Sequence, residues 1–261
     1  MFLEHFSMTD HPFSEQMPTD GLLQDDRMKE GLARLKYFSQ EGSLALVTGH
    51  TGVGKSSLIR LFLQTLSRTQ FRPIYIYLSQ VGSIGLLKLI VTALGEIPKR
   101  GKERLYLQIF ERVHNADLTT VVVLDEAQFI DPDALTDLRL LVSSQESDKL
   151  KIVLTGQETL RDQLRRSQHQ ALVHRLSVRY HVSPLTPDGT AQYIDQQLRR
   201  VGSNEKLFDA EAKRLIHDYS NGLPRQINNL ATACLIHAAT QGDKKVTEAL
   251  VNQASQEIAV L

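Results

Sequence analysis

The residues best able to do chemistry stand in one run, Gly49-His50-Thr51-Gly52-Val53-Gly54-Lys55-Ser56-Ser57, which carries the spacing G-x-x-x-x-G-K-S. Glycines so placed let the backbone wrap an anion closely, with successive N–H groups turned toward a phosphate chain. Lys55 would then reach the β- and γ-phosphates, and the Ser56 hydroxyl would hold magnesium. An apolar run at 44–47 precedes the motif and a helical pattern follows it, the context that such a loop requires.

A second constellation is Val121-Val122-Val123-Leu124-Asp125-Glu126, an apolar strand that ends in two carboxylates. Asp125 can enter the magnesium shell, and Glu126 can orient and deprotonate an attacking water. Thr155 closes the next apolar run, Ile152-Val153-Leu154, where its hydroxyl either faces a γ-phosphate or caps the helix after it. Arg225 follows Pro224 at a helix start, so its charge opposes the helix dipole unless an anion comes near. Five further arginines, Arg161, Arg165, Arg166, Arg175 and Arg179, follow Thr155. Most of these are read as surface charge, and Arg175, shortly before the last strand, is the choice for a finger acting across a subunit boundary, with Arg179 and Arg165 as the alternatives.

Lys99, Arg100 and Lys102 form the densest basic stretch, at a junction between helices. It is either a solvated loop or a clamp on DNA phosphates, which needs charge but no base-reading geometry. The nine histidines give no close ligand pair, and Cys234 lies on an apolar helix face as a packing residue.

These residues need a scaffold, and its pattern is alternation. Strands are expected at 44–47, 74–78, 121–124, 152–154 and 178–182, with helical spacing between them. The run at 121–124 is apolar without alternation, as suits a central strand covered on both faces. Strand and helix in turn predict an α/β fold with a parallel sheet, the motifs standing at its carboxyl edge. After Thr186-Pro187, a helix-start signal, three helical patterns follow and nothing reads as a strand. The expected division is an amino-terminal arm over 1–20, an α/β core over 21–185 and an all-helical lid over 186–261.

Composition sets the outer limits. Of 261 residues, 41% are hydrophobic and 23% charged, an ordinary globular balance. Thirty basic and thirty acidic residues cancel, which excludes a basic coat but not a local basic patch. The single cysteine fits a reducing compartment, and no apolar stretch approaches the ~18 residues of a membrane helix. A cytoplasmic protein with no membrane partner is expected.

The order of phosphate loop, acidic strand end, polar residue on the next strand, arginine and helical lid resembles AAA+ ATPases. It is more specifically similar to the ExeA/GspA and TniB/TnsC-type group. The likeness runs through His11-Pro12-Phe13, Asp125-Glu126-Ala127-Gln128, Leu154-Thr155-Gly156-Gln157 and Gly222-Leu223-Pro224-Arg225. His11 stands where the group has asparagine, and Thr155 where many AAA+ proteins have asparagine. The resemblance implies a P-loop AAA+ fold, ATP and Mg2+ as ligands, and homo-oligomers in a ring or filament. It makes Lys55 and Ser56 Walker A, Asp125 and Glu126 Walker B, Thr155 sensor 1, Arg175 the arginine finger and Arg225 sensor 2. Phe13 would lie against the adenine. Two roles follow from the group: a transposition helper that assembles on double-stranded DNA and recruits or activates a transposase, or the ATPase of a secretion-assembly system. Secretion members continue into a membrane segment, and because this chain stops at Leu261 the expectation leans to the transposition helper. A nucleotide-gated switch that binds protein alone is the third reading.

Overall fold

Runs of Val, Ile and Leu between glycine-rich turns make the strands, and their register makes one sheet. The structure is a computed structural model that describes residues 2–14, 21–22, 25–143 and 148–258. Along the chain, α1 (Phe2–His5) and α2 (Asp26–Glu41) precede β1 (Leu44–Thr48), and α3 (Lys55–Thr65) leads to β2 (Phe71–Tyr77). Next come α4 (Ser83–Ala93), α5 (Lys102–His114) and β3 (Thr119–Asp125), then α6 (Pro132–Ser143) and β4 (Leu150–Gly156). Two short helices, α7 (Glu158–Leu164) and α8 (Gln170–Val173), precede β5 (Leu176–His181). The rest is helical: α9 (Pro187–Arg200), α10 (Ala210–Ser220), α11 (Pro224–Gln241) and α12 (Glu248–Ile258).

The chain divides into two units, one of residues 29–49 and 55–182, the other of residues 1–28, 50–54 and 183–261. In the first, the five strands run parallel in the order β2-β3-β4-β1-β5. This puts β3, β4 and β1 inside, and β4 is buried at every position. Pro73 falls within β2, an edge strand, where a missing N–H need cost no ladder bond. One face of the sheet, with Leu44, Leu46, Val122, Leu124, Ile152 and Leu154, joins a core built with α4, α5 and α6. Val121, Val123 and Val153 alternate with these residues and are equally buried, so both faces are covered. The α/β class and the parallel sheet are therefore as the alternation predicts.

Strand starts differ from expectation: β2 begins at Phe71, three residues early, and β4 and β5 at Leu150 and Leu176, two residues early. Thr119-Thr120 likewise extends β3 backward to pair with Phe71-Arg72. Helices α1, α2, α8 and α12 were not singled out in the sequence, and α5 entered it only as the far side of a junction between helices. In α5 the buried set Leu105, Gln108, Ile109 and Val113 has the right spacing, but a buried glutamine interrupts its apolar stripe.

The second unit has a core of its own, from Met8 and Phe13 through Ile194, Leu198, Ile216, Ile227 and Leu235 to Val251. Two of its helices begin on side-chain caps: Thr186 accepts from the Gly189 N–H at 3.1 Å, and Asp209 from the Ala212 N–H at 2.7 Å. Cys234 is fully buried there, and burial pushes its thiol up to about 12, as befits a packing residue. Between α10 and α11 the turn is tight. Gly222 has φ +68°, and its carbonyl accepts from the Leu185 N–H at 2.8 Å. A Cβ on Gly222 would fall 2.1 Å from the Leu185 carbonyl oxygen. Gly222→Ala is therefore expected to destabilise the helical unit by roughly 1–3 kcal/mol, from left-handed strain added to that clash. Urea unfolding followed by circular dichroism checks it, and a midpoint equal to wild type would show that the turn yields freely.

Candidate nucleotide site

β1 runs straight into the glycine-rich loop, and α3 opens at Lys55. The first turn of α3 therefore consists of Lys55, Ser56, Ser57 and Leu58, with no acidic residue to offset its positive end. The N–H groups at a helix start are the ordinary means of holding a phosphate. Lys55 is only 6% exposed, and its ammonium donates to the Gly49 carbonyl at 2.9 Å, so its side chain folds back along the loop.

The middle of the loop, 50–54, is grouped by its contacts with the helical unit. There Gly52 takes φ +78°, and its carbonyl accepts from the Arg225 N–H at 3.2 Å. A Cβ on Gly52 would stand 2.7 Å from the Arg225 Cβ, so only glycine permits this approach. Arg225 lies in the first turn of α11, after Pro224, with its side chain exposed.

On the α/β unit, β3 delivers Asp125 to a place 2% exposed. A buried carboxylate must be compensated, and three donors do so. The Glu126 N–H reaches Oδ1 at 2.9 Å, the Ser56 hydroxyl stands 3.4 Å from Oδ2, and the Tyr75 hydroxyl donates to Oδ2 as well. Ser56 and Asp125 thus meet at one oxygen across two elements. One carboxylate and one hydroxyl are hard oxygen ligands that suit magnesium, whose remaining positions go to water and phosphate. Among the described residues no cluster of three or more His, Cys, Asp or Glu offers another metal site.

Glu126 turns away from the strand with φ +58° and ψ +39°. For a side chain larger than glycine this left-handed state costs about 1–2 kcal/mol, and it recurs where geometry serves function. Its Oε2 accepts from the side-chain amides of Gln128 and, at 3.4 Å, Gln157. Thr155 is fully buried, and its Oγ1 has no hydrogen-bond partner. It does not cap α7, whose N-cap is Gln157.

The family model for the AAA domain matches residues 39–164. General secretion pathway protein A of Aeromonas hydrophila is 30% identical over 269 residues, covering 99% of this chain and 49% of that protein. The chain thus spans about half the length of that relative. Cdc6p of Pyrobaculum aerophilum superposes with a TM-score of 0.74 at 20% identity, over 96% of this chain and 71% of that one. The Aeropyrum pernix ORC1 protein, solved in complex with DNA, gives 0.70 at 18% identity, over 95% and 68%. The fold is that of the P-loop AAA+ proteins.

The remaining expected residues are dispersed. Arg175 is exposed between α8 and β5, and its guanidinium has no partner among the described residues. Arg179 donates to the Val173 carbonyl at 2.8 Å, and Arg165 pairs with Asp162 at 3.5 Å. Lys99 and Arg100 are exposed in the loop between α4 and α5. Lys102 is different: its ammonium pairs with the buried carboxylate of Asp137 at 2.8 Å. Phe13 is 6% exposed, edge-on to Phe208 in the helical core. The rest of the arm at 15–20 lies outside the described residues.

Three side chains that contact Asp125 or Glu126 escaped the sequence reading: Tyr75, Gln128 and Gln157. The two glutamines stood in plain view as Asp-Glu-Ala-Gln and Thr-Gly-Gln. Tyr75 gave no signal beyond strand propensity, since only the register of β2 on β3 brings it to Asp125. Burial, then the hydrogen bond and charge of Asp125, push the Tyr75 pKa above that of an ordinary tyrosine. The raised value belongs to the folded state, so its share of stability is whole below pH 10 and lost as pH rises past it. Tyr75→Phe should therefore lose less unfolding free energy than wild type as pH climbs above about 10. Denaturant melts across that range read the difference, and identical slopes would remove Tyr75 from the account.

Proposed function

We propose that this chain is an ATPase of the AAA+ class, a switch whose state is set by the nucleotide it holds. The observation that carries the reading is the meeting of Ser56 and Asp125 beside Lys55, with Glu126 next in line. Lys55 and the first turn of α3 bind the β- and γ-phosphates, and Thr155 offers its hydroxyl to the γ-phosphate. Magnesium, held by Ser56 and Asp125, would draw charge from the phosphate oxygens. Glu126 takes a proton from water as the water oxygen bonds to the γ-phosphorus. The bond from that phosphorus to the bridging oxygen breaks, and ADP leaves with the electron pair. Arg225 adds a cation for the phosphates from the turn that grips Gly52. Phe13 anchors the amino-terminal arm near the adenine without stacking on it, since its ring already packs on Phe208. Arg175, exposed, acts on the nucleotide of a neighbouring copy in a homo-oligomer.

For the cellular role, the secretion-pathway name of the Aeromonas relative favours a secretion-assembly ATPase. The transposition helper, a cytoplasmic protein assembled on double-stranded DNA with a transposase, is the second reading. It is favoured by the exposed Lys99 and Arg100 and by the DNA complex of a protein of the same fold. The Asp137 pair engages the charge of Lys102, so the phosphate clamp rests on the other two.

Two variants separate binding from hydrolysis. Lys55→Ala should abolish ATP binding in a calorimetric titration. Glu126→Gln should bind ATP normally and hydrolyse it at least about a hundredfold more slowly. Normal turnover in Glu126→Gln would mean that another group is the base.

The DNA reading has its own measurement. Replacing Lys99 and Arg100 together by alanine should flatten the plot of log affinity against log salt by roughly 0.9 per lost phosphate contact. No ATP-dependent binding of wild type to duplex DNA at low salt would remove the DNA reading.

A further inference from the structure

The strand end at Thr155 and the carboxylate of Glu126 are joined by two amides. Gln128, in the single 3-10 turn after Glu126, gives its amide N–H to Glu126 Oε2. Its amide oxygen in turn accepts from the backbone N–H of Gln157 at 3.1 Å. The Gln157 side chain closes the loop by donating to the same Oε2 at 3.4 Å. Gln128 is itself located from a third side, since the Gln163 amide on α7 donates to its carbonyl at 3.2 Å. Even the glycine between Thr155 and Gln157 belongs to the device. A Cβ on Gly156 would stand 2.6 Å from the Gln128 amide oxygen, so the strand end comes as close as a residue without a side chain allows.

The result is an asymmetric carboxylate. Oε2 of Glu126 is held by two donors, whereas Oε1 accepts no hydrogen bond among the described residues. We propose that Gln128 and Gln157 are positioning residues that clamp one oxygen of the base so that the other, Oε1, receives the proton from water. Gln128 is the joint of the clamp, because its amide spans from the β4 end to the carboxylate. The base therefore moves with the Thr155 turn, and a phosphate that shifts Thr155 also aims Glu126. Neither glutamine touches the reacting atoms. Their effect passes through Glu126, where a displacement of about 1 Å can cost a hundredfold in rate.

The inference rests on Glu126 being the base of an ATPase, and its test keeps the two apart. Gln128→Met and Gln157→Met preserve length and remove the donors. Each should lower kcat roughly ten- to a hundredfold with KM unchanged. Affinity for a non-hydrolysable ATP analogue should stay at the wild-type value, and ATP should be recovered uncleaved with the protein after gel filtration. The double variant should lose less than the product of the two, since both act on one oxygen. In a Glu126→Gln background neither change should slow the residual rate further. A proportional loss in that background, an unchanged or raised kcat, or analogue affinity falling in step with kcat would each overturn the proposal. Should Gln128→Met fail to fold, Gln157→Met carries the test alone, because it leaves the Gln128 bridge to the backbone intact. Wild-type turnover in Glu126→Gln would instead sink the reading beneath it. A dead Glu126→Gln with wild-type glutamine variants would sink only the clamp.

Discussion

A strand buried on both faces has to end somewhere, and here it ends in a charge. The Asp125 carboxylate is all but removed from water, and an unpaired ion in such a place would cost several kcal/mol. The fold answers with donors from three directions: the next backbone N–H, a hydroxyl from the start of α3, and a phenol from β2. Each donor ties a different element to the end of β3. The phosphate-loop helix is tied through Ser56 and the edge strand through Tyr75. Compensation of one buried charge thus fixes the start of α3 and the edge strand against the end of β3.

A similar economy appears away from the site. Asp137 on α6 is buried too, and it is compensated by Lys102 at the start of α5 and by the Ser83 hydroxyl at the start of α4. A basic residue that looks free in the sequence is therefore partly structural. Charge counted along a chain overstates what is available to a partner, and the two exposed neighbours, Lys99 and Arg100, are the ones left to bind one.

Much of this was legible in advance because its signals are local. The phosphate loop needs its glycines and its lysine in fixed order, and a fully covered strand needs an unbroken run such as Val121 to Leu124. The capped start at Thr186-Pro187 is local as well. What escaped depends on register or on polar burial. Tyr75 reaches Asp125 only because β2 pairs with β3 at that offset, which no single segment encodes. Gln108 hides an amphipathic helix by being buried and polar, its amide spent on the Ile97 carbonyl and the Lys99 N–H. Gln128 and Gln157 have ordinary side chains, and their importance comes from meeting one oxygen.

The left-handed backbone at Glu126 carries a consequence for how this protein can change. Glycine or asparagine would sit at φ +58° more comfortably than glutamate does, so the position stands off its own stability optimum. Random drift judged by folding alone would tend to replace Glu126, and a selection for heat resistance would meet such replacements early. On the proposed reading of Glu126 as the base, they would yield a protein that still binds nucleotide and no longer hydrolyses it. With Glu126 as the proposed base, sturdiness and turnover pull against each other at a single residue, and keeping the glutamate means a slightly weaker fold.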